Sequence, residues 1–212
     1  MKKNNNIFIV FFAALVVITV GLIVYSGGRN KSSAPALDQH GHPIASSASV
    51  SAALFNPDKL INQQAPDFAL SDQSGKTYSL NELLGKNIIL FFNEGLMCYP
   101  ACWNQIVALA QDERLNQDDT VVLSVVADPS AEWQKAIDKM PELAEATVVF
   151  DKNAVISKEF GVLTAESSMH YGSLPGHTFM LIDKEGIIKH IFDDPNMGLH
   201  NDQLVVELGK LN

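Results

Sequence analysis

Cysteine is scarce in this chain of 212 residues: Cys98 and Cys102 are the whole complement. Two thiols exclude a disulfide scaffold, a four-cysteine zinc site and a multi-cysteine cluster. Arginine is nearly missing from the body of the chain, where Arg114 is the single one after residue 31. Acid is missing from the other end, since residues 1–31 hold Lys2, Lys3, Arg29 and Lys31 and no carboxylate. The formal net charge of −9 therefore hides a basic end and a remainder, residues 32–212, with 11 basic and 24 acidic side chains and a charge of −13. Such a body is repelled by phosphate backbones, which disfavours nucleic acid as a partner. With 9 prolines and 13 glycines the chain is neither fibrous nor wholly disordered, and its length allows one domain with appendages.

Part of the 47% apolar content comes from one segment. Ile7 to Tyr25 reads IFIVFFAALVVITVGLIVY, 19 residues without a charge, which as a helix spans about 30 Å of hydrocarbon. After a short basic N-terminus (1–6), residues 7–25 are expected to be an uncleaved transmembrane anchor. A cleaved signal peptide is the competing reading. Its apolar region is normally shorter, and its small-x-small site is offered here only by Ser32-Ser33-Ala34-Pro35-Ala36. Lys2 and Lys3 favour a cytoplasmic N-terminus, so the expectation is a single-pass membrane protein with its domain on the extracytoplasmic side.

Residues 26–56 are rich in Ser, Ala, Gly and Pro without either periodicity, as a flexible linker is. Within it His40-Gly41-His42 could bind a transition metal weakly, although a pair of polar tether residues is the plainer reading. The domain proper is expected over 57–212, where strand and helix signals alternate. Ala65-Pro66-Asp67-Phe68-Ala69-Leu70 and Lys76–Ser79 read as a short extended pair about a turn. Asn87-Ile88-Ile89-Leu90-Phe91-Phe92 and Thr120–Val126 read as buried strands. Pro100–Ala110 is a helix, with a second from about Ser130, which can cap it, to Lys139. Thr147–Phe150, Thr178–Ile182 and Ile187–Phe192 are further strands, and a helix closes the chain over Asn201–Leu211. The implied fold class is α/β, a central mixed sheet flanked by helices.

Cys98 and Cys102 fall between a buried strand and a helix, where open α/β sheets place their ligand sites. With Pro100 at the first helical position, Cys98 lies just outside the helix and Cys102 in its first turn. The free N–H groups and dipole there stabilise a thiolate, the reactive and metal-binding form. The outer Cys98 is then the attacking sulfur and the more shielded Cys102 the resolving one. A non-helical Cys98 can fold back to bond Cys102. Two inert buried thiols or a small structural staple are the bland alternative, and spacing alone does not separate redox chemistry from metal capture.

These residues resemble the thioredoxin superfamily and, within it, the AhpC/TSA (redoxin, peroxiredoxin-like) group. The likeness runs through Ala65-Pro66-Asp67-Phe68 with Leu70, Gly75-Lys76, Ser79-Leu80, Leu83 and Gly85-Lys86, the cysteine loop, and Leu174-Pro175-Gly176-His177-Thr178-Phe179 leading into Asp183-Lys184-Glu185-Gly186. It implies a thioredoxin-like fold with a cis bond at Pro175, Leu174 and Pro175 shaping a groove for a thiol/disulfide protein partner or a small oxidant, and no cofactor. Peroxiredoxins carry a Pro and a Thr seven and three residues before the reactive cysteine, where this chain has Phe91 and Gly95, and an activating Arg where it has Gly176. The resemblance therefore implies a CxxxC thiol-disulfide oxidoreductase more than a peroxidase.

The CxxxC spacing behind an anchor is also similar to the Sco family of copper chaperones, which implies copper held by Cys98, Cys102 and a distant histidine. His177 is the first candidate and His170 the second, while Tyr99, Pro100 and Ala101 replace the Sco residues between the cysteines. As a lone histidine near a strand start, His177 also fits a hydrogen-bonded structural role. Met169-His170 and Met197 with His200 could handle copper but read better as ordinary loop residues, Glu94 reads as a proton acceptor near the thiols or a solvated acid, and Trp103 as core packing or a lid.

Overall fold

A strand covered on both faces has no reason to alternate apolar and polar residues, and the run from Asn87 does not. A computed structural model describes residues 54–211. In it, strands β1 (Ala69–Asp72), β2 (Thr77–Ser79), β3 (Asn87–Asn93), β4 (Thr120–Val126), β5 (Val148–Phe150), β6 (Thr178–Ile182) and β7 (Ile188–Asp193) form one mixed sheet. Its order is β2-β1-β5-β4-β3-β6-β7. β3 runs parallel to β4 and antiparallel to β6, and every residue of β3 is buried.

The strand period of two divides β3 between two cores. Ile89 and Phe91 pack with the cysteines and with Trp103, Ile106 and Leu109 of α2 (Ala101–Gln111). Trp133 and Ala136 of α3 (Ser130–Lys139) and Leu204 and Leu208 of α5 (Asn201–Leu208) complete this layer. Ile88, Leu90 and Phe92 point the other way, onto Leu80 of α1 (Leu80–Leu83), Phe160, Val162 and Ile156 of α4 (Val155–Glu159). Each large side chain so buried contributes about 2–3 kcal/mol. Register then places the site: Phe91 lies opposite Phe179 with rings stacked at 4.5 Å, and His177 sits one residue before β6 with its ring edge-on to Phe91 at 4.7 Å.

Some expectations are corrected. Pro100 is the residue before α2, so the helix starts one residue late. Ser130 is itself the first residue of α3 and so sits one position too far in to cap it; Pro129 precedes it, without a side-chain cap. The last helix stops at Leu208, before Gly209. The cis peptide among the described residues joins Tyr99 and Pro100, and the bond before Pro175 is not cis. That loop is held instead by turn hydrogen bonds, Leu174 N to His170 O and Ser168 Oγ to Leu174 O. The segment 7–25 and the histidines at 40 and 42 lie outside the described residues, among which no helix is long and apolar enough to cross a membrane.

Candidate functional site

The loop after β3 is shaped by side chains that replace missing backbone partners. Asn93 accepts from Gly95 N at 2.9 Å and donates to Phe91 O and Val125 O. Gly95 turns the chain at φ +56°, and a Cβ there would lie 1.7 Å from Asp128 Oδ2. The space thus left lets Leu96 N donate to Asp128 Oδ2 at 3.0 Å, while Trp103 Nε1 donates to Gly95 O, also at 3.0 Å. Burial pushes the Asp128 carboxyl up from its ordinary value, against the opposing Leu96 hydrogen bond.

A 3-10 turn (Gly95–Met97) then delivers Cys98, whose non-helical backbone (φ −105°, ψ 42°) turns it back toward the helix. Its carbonyl accepts from Cys102 N at 3.0 Å. The two sulfurs are joined, S–S 2.04 Å with Cα atoms 5.4 Å apart. Cys98 therefore lies outside α2 and Cys102 in its first turn, as expected from Pro100 at the helix start. Both are more enclosed than expected, with Cys98 3% and Cys102 1% exposed. The residues either side of Cys98, Met97 and Tyr99, are exposed, and Lys139 Nζ lies 3.4 Å above the Tyr99 ring.

His177 joins the cysteines. Its Nδ1 is 3.5 Å from Cys102 Sγ, and its Nε2 is 3.2 Å from Gly198 O. A carbonyl only accepts, so Nε2 carries the proton and Nδ1 presents its lone pair to the sulfur. Burial pulls the imidazole down to about 4, more than the Gly198 carbonyl and the charge of Asp194 restore. The loop after β7 holds this tautomer: Asp194 accepts from Asn196 N, Gly198 N and His200 Nε2. Those hydrogen bonds outweigh the effect of burial and keep Asp194 at about 2.

Two side chains have roles that sequence alone did not reveal. Met197 Sδ lies 3.7 Å from Cys98 Sγ. Glu94 is neither solvated nor shown at the thiols: it is buried, and accepts from Met169 N at 2.7 Å and His170 N at 2.9 Å, with His170 Nδ1 2.9 Å from its other oxygen. His170 is thereby engaged with Glu94, not with sulfur. Leu174 is half-buried and Pro175 buried. Trp103 is a core residue, stacked edge-on with Tyr99.

Donor atoms of Cys98, Cys102 and His177 lie within 4.8 Å of one another. Once the disulfide is reduced, two thiolates and an imidazole form a soft set suited to copper. As a disulfide the sulfurs carry no thiolate to offer a metal.

The AhpC/TSA family model matches residues 61–191. Chloroplastic peroxiredoxin Q of Triticum aestivum is 32% identical over 135 residues, 61% of this chain and 57% of the wheat protein's own length. Peroxiredoxin Bcp of Escherichia coli strain K12 is 30% identical over 141 residues, 65% of this chain and 88% of that one. Among solved structures, AhpC of Enterococcus faecalis aligns with a TM-score of 0.61 at 22% identity, covering 71% of this chain and 91% of its own. The chain belongs to the AhpC/TSA family, and its fold is thioredoxin-like.

Proposed function

We propose that this chain is a membrane-anchored, extracytoplasmic thiol-disulfide oxidoreductase that cycles Cys98 and Cys102 between dithiol and disulfide. The observation that carries the reading is the Cys98–Cys102 bond at the start of α2, with His177 Nδ1 3.5 Å from the inner sulfur. Cys98, between exposed Met97 and Tyr99, is the sulfur a partner meets. In the reduced chain a Cys98 thiolate attacks a partner disulfide and one partner sulfur leaves as thiolate. Cys102 gives its proton to Nδ1 of His177, attacks Cys98 Sγ and releases the second partner thiolate, which takes that proton. One disulfide is reduced and one dithiol oxidised. Leu174 and Pro175 would shape the partner's groove.

The relatives' names suggest peroxide reduction, but two positions argue against it here. A side chain at Gly95, where the family's Thr would stand, meets Asp128, and a Cβ at Gly176, in place of its Arg, would lie 2.1 Å from Ser167 Oγ and 2.7 Å from Ser168 N. The test is equilibration of the full chain with reduced and oxidised dithiothreitol beside a peroxide-consumption assay. Reversible exchange without peroxide turnover supports the proposal, and robust peroxide turnover contradicts it. A second reading, a Sco-like copper-binding module, is favoured by the gathering of Cys98, Cys102 and His177. It predicts stoichiometric copper binding by the reduced chain, lost on replacing any of the three, and a chain that binds no copper removes it.

A further inference from the structure

Cys98 is enclosed from an unexpected direction. The residues on either side of it are 60% and 49% exposed, yet Cys98 itself is 3% exposed. Across the site, the thioether of Met197 packs against the same apolar cluster as Cys98 and lies 3.7 Å from its Sγ.

The loop carrying Met197 is built to hold that side chain in place. Met197 has φ +53°, a left-handed conformation that a methionine adopts only when its surroundings impose it. The surroundings are explicit. Met197 N donates to Asp194 O, the Asp194 carboxylate gathers Asn196 N, Gly198 N and His200, and Asp194 N donates to His177 O. His200 N donates at 2.8 Å to Gln105 Oε1 of α2, the helix that also carries Cys102. The outer residues Pro195, Asn196 and Leu199 are exposed, so a partner that docks there can push on the loop, whereas a small reagent cannot.

Resting on the oxidoreductase reading, we propose that Met197 is a specificity-determining cover on Cys98. A reagent reaches Sγ only after the thioether moves aside, which selects a partner protein that displaces the 194–200 loop over small thiols and oxidants. With dithiothreitol as probe the balance is simple. A probe thiolate bonds to Cys98 Sγ, the Cys98–Cys102 bond breaks, and Cys102 leaves with the electron pair and takes a proton. The second probe thiol then displaces Cys98 and closes the oxidised probe ring.

Met197→Gly removes the thioether while suiting the left-handed backbone, so the variant keeps the fold; Met197→Leu keeps a side chain of similar bulk. In the full chain, rates of reduction by dithiothreitol and of reoxidation by its cyclic disulfide are measured for all three proteins. A cover slows both directions alike, so Met197→Gly should speed each at least tenfold with the equilibrium constant unchanged within twofold, and Met197→Leu should stay near wild type. Equal rates in Met197→Gly and wild type overturn the cover while leaving the oxidoreductase standing. So does acceleration of one direction only, which marks a change in disulfide energy. A wild-type disulfide that exchanges with neither reagent, while Met197→Gly exchanges, supports the cover. One that stays inert in all three proteins overturns both ideas.

Discussion

Replacing His177 by glutamine turns the site's buried imidazole into a measurable pH effect. Unfolded, the imidazole takes up a proton near 6.5; folded, burial delays uptake to about 4. Between those values the unfolded chain binds more protons, so stability falls as pH falls through the window. At about 1.4 kcal/mol per tenfold, the whole gap corresponds to about 3 kcal/mol, of which about 2 kcal/mol should be lost between pH 7 and pH 4.5. Glutamine does not titrate and can still donate to Gly198 O. His190, also pulled down by burial, contributes with the same sign in both proteins and cancels. Asp194, held at about 2, gives up its contribution only as pH falls below the ordinary carboxylate value of 3.8, under the window. Urea unfolding of oxidised wild type and His177→Gln at both pH values reads the difference, and the variant should lose about 2 kcal/mol less than wild type. Equal losses in the two proteins would refute the buried, neutral imidazole on which the proton-transfer role depends.

Closing so small a ring stabilises by about 2 kcal/mol in the chain-entropy picture, so reducing the disulfide, or Cys98→Ser, should lower the thermal midpoint by about 4–8 °C in a calorimetric scan. Gly95→Ala places a Cβ on Asp128 at a left-handed backbone position; it should cost about 2–4 kcal/mol in denaturant unfolding, and a neutral result would show that the turn relaxes freely. Glu94→Ala leaves Met169 N and His170 N without their carboxylate, which should cost about 3 kcal/mol and open the 167–170 segment to limited proteolysis.

How much was legible depended on how local the cause was. β4 and β6 fall on their expected residues because each is an apolar run bounded by turn residues, and β3 extends by one to Asn93. The helices α1 and α4, four and five residues long, carry no periodic signal in the sequence, since such short segments take their helicity from packing. The cysteine placement followed from Pro100 and the strand before it, and His177 from its position before β6. Met197 and Glu94 eluded sequence reasoning because their partners lie 99 and 76 residues away in the chain. The lack of side-chain space at Gly95 was legible only as a missing Thr, because the obstacle, Asp128, arrives from the end of a neighbouring strand.

Trapping distinguishes Cys98 as the attacking sulfur from Cys102 as the resolving one. Full-length Cys102→Ser and Cys98→Ser proteins, reduced and then mixed with a disulfide-linked peptide dimer, are followed by mass spectrometry. A stable peptide adduct is expected at Cys98 in Cys102→Ser, formed at least tenfold faster than any adduct at Cys102 in Cys98→Ser. Faster trapping at Cys102, or no adduct at either cysteine, would contradict those roles.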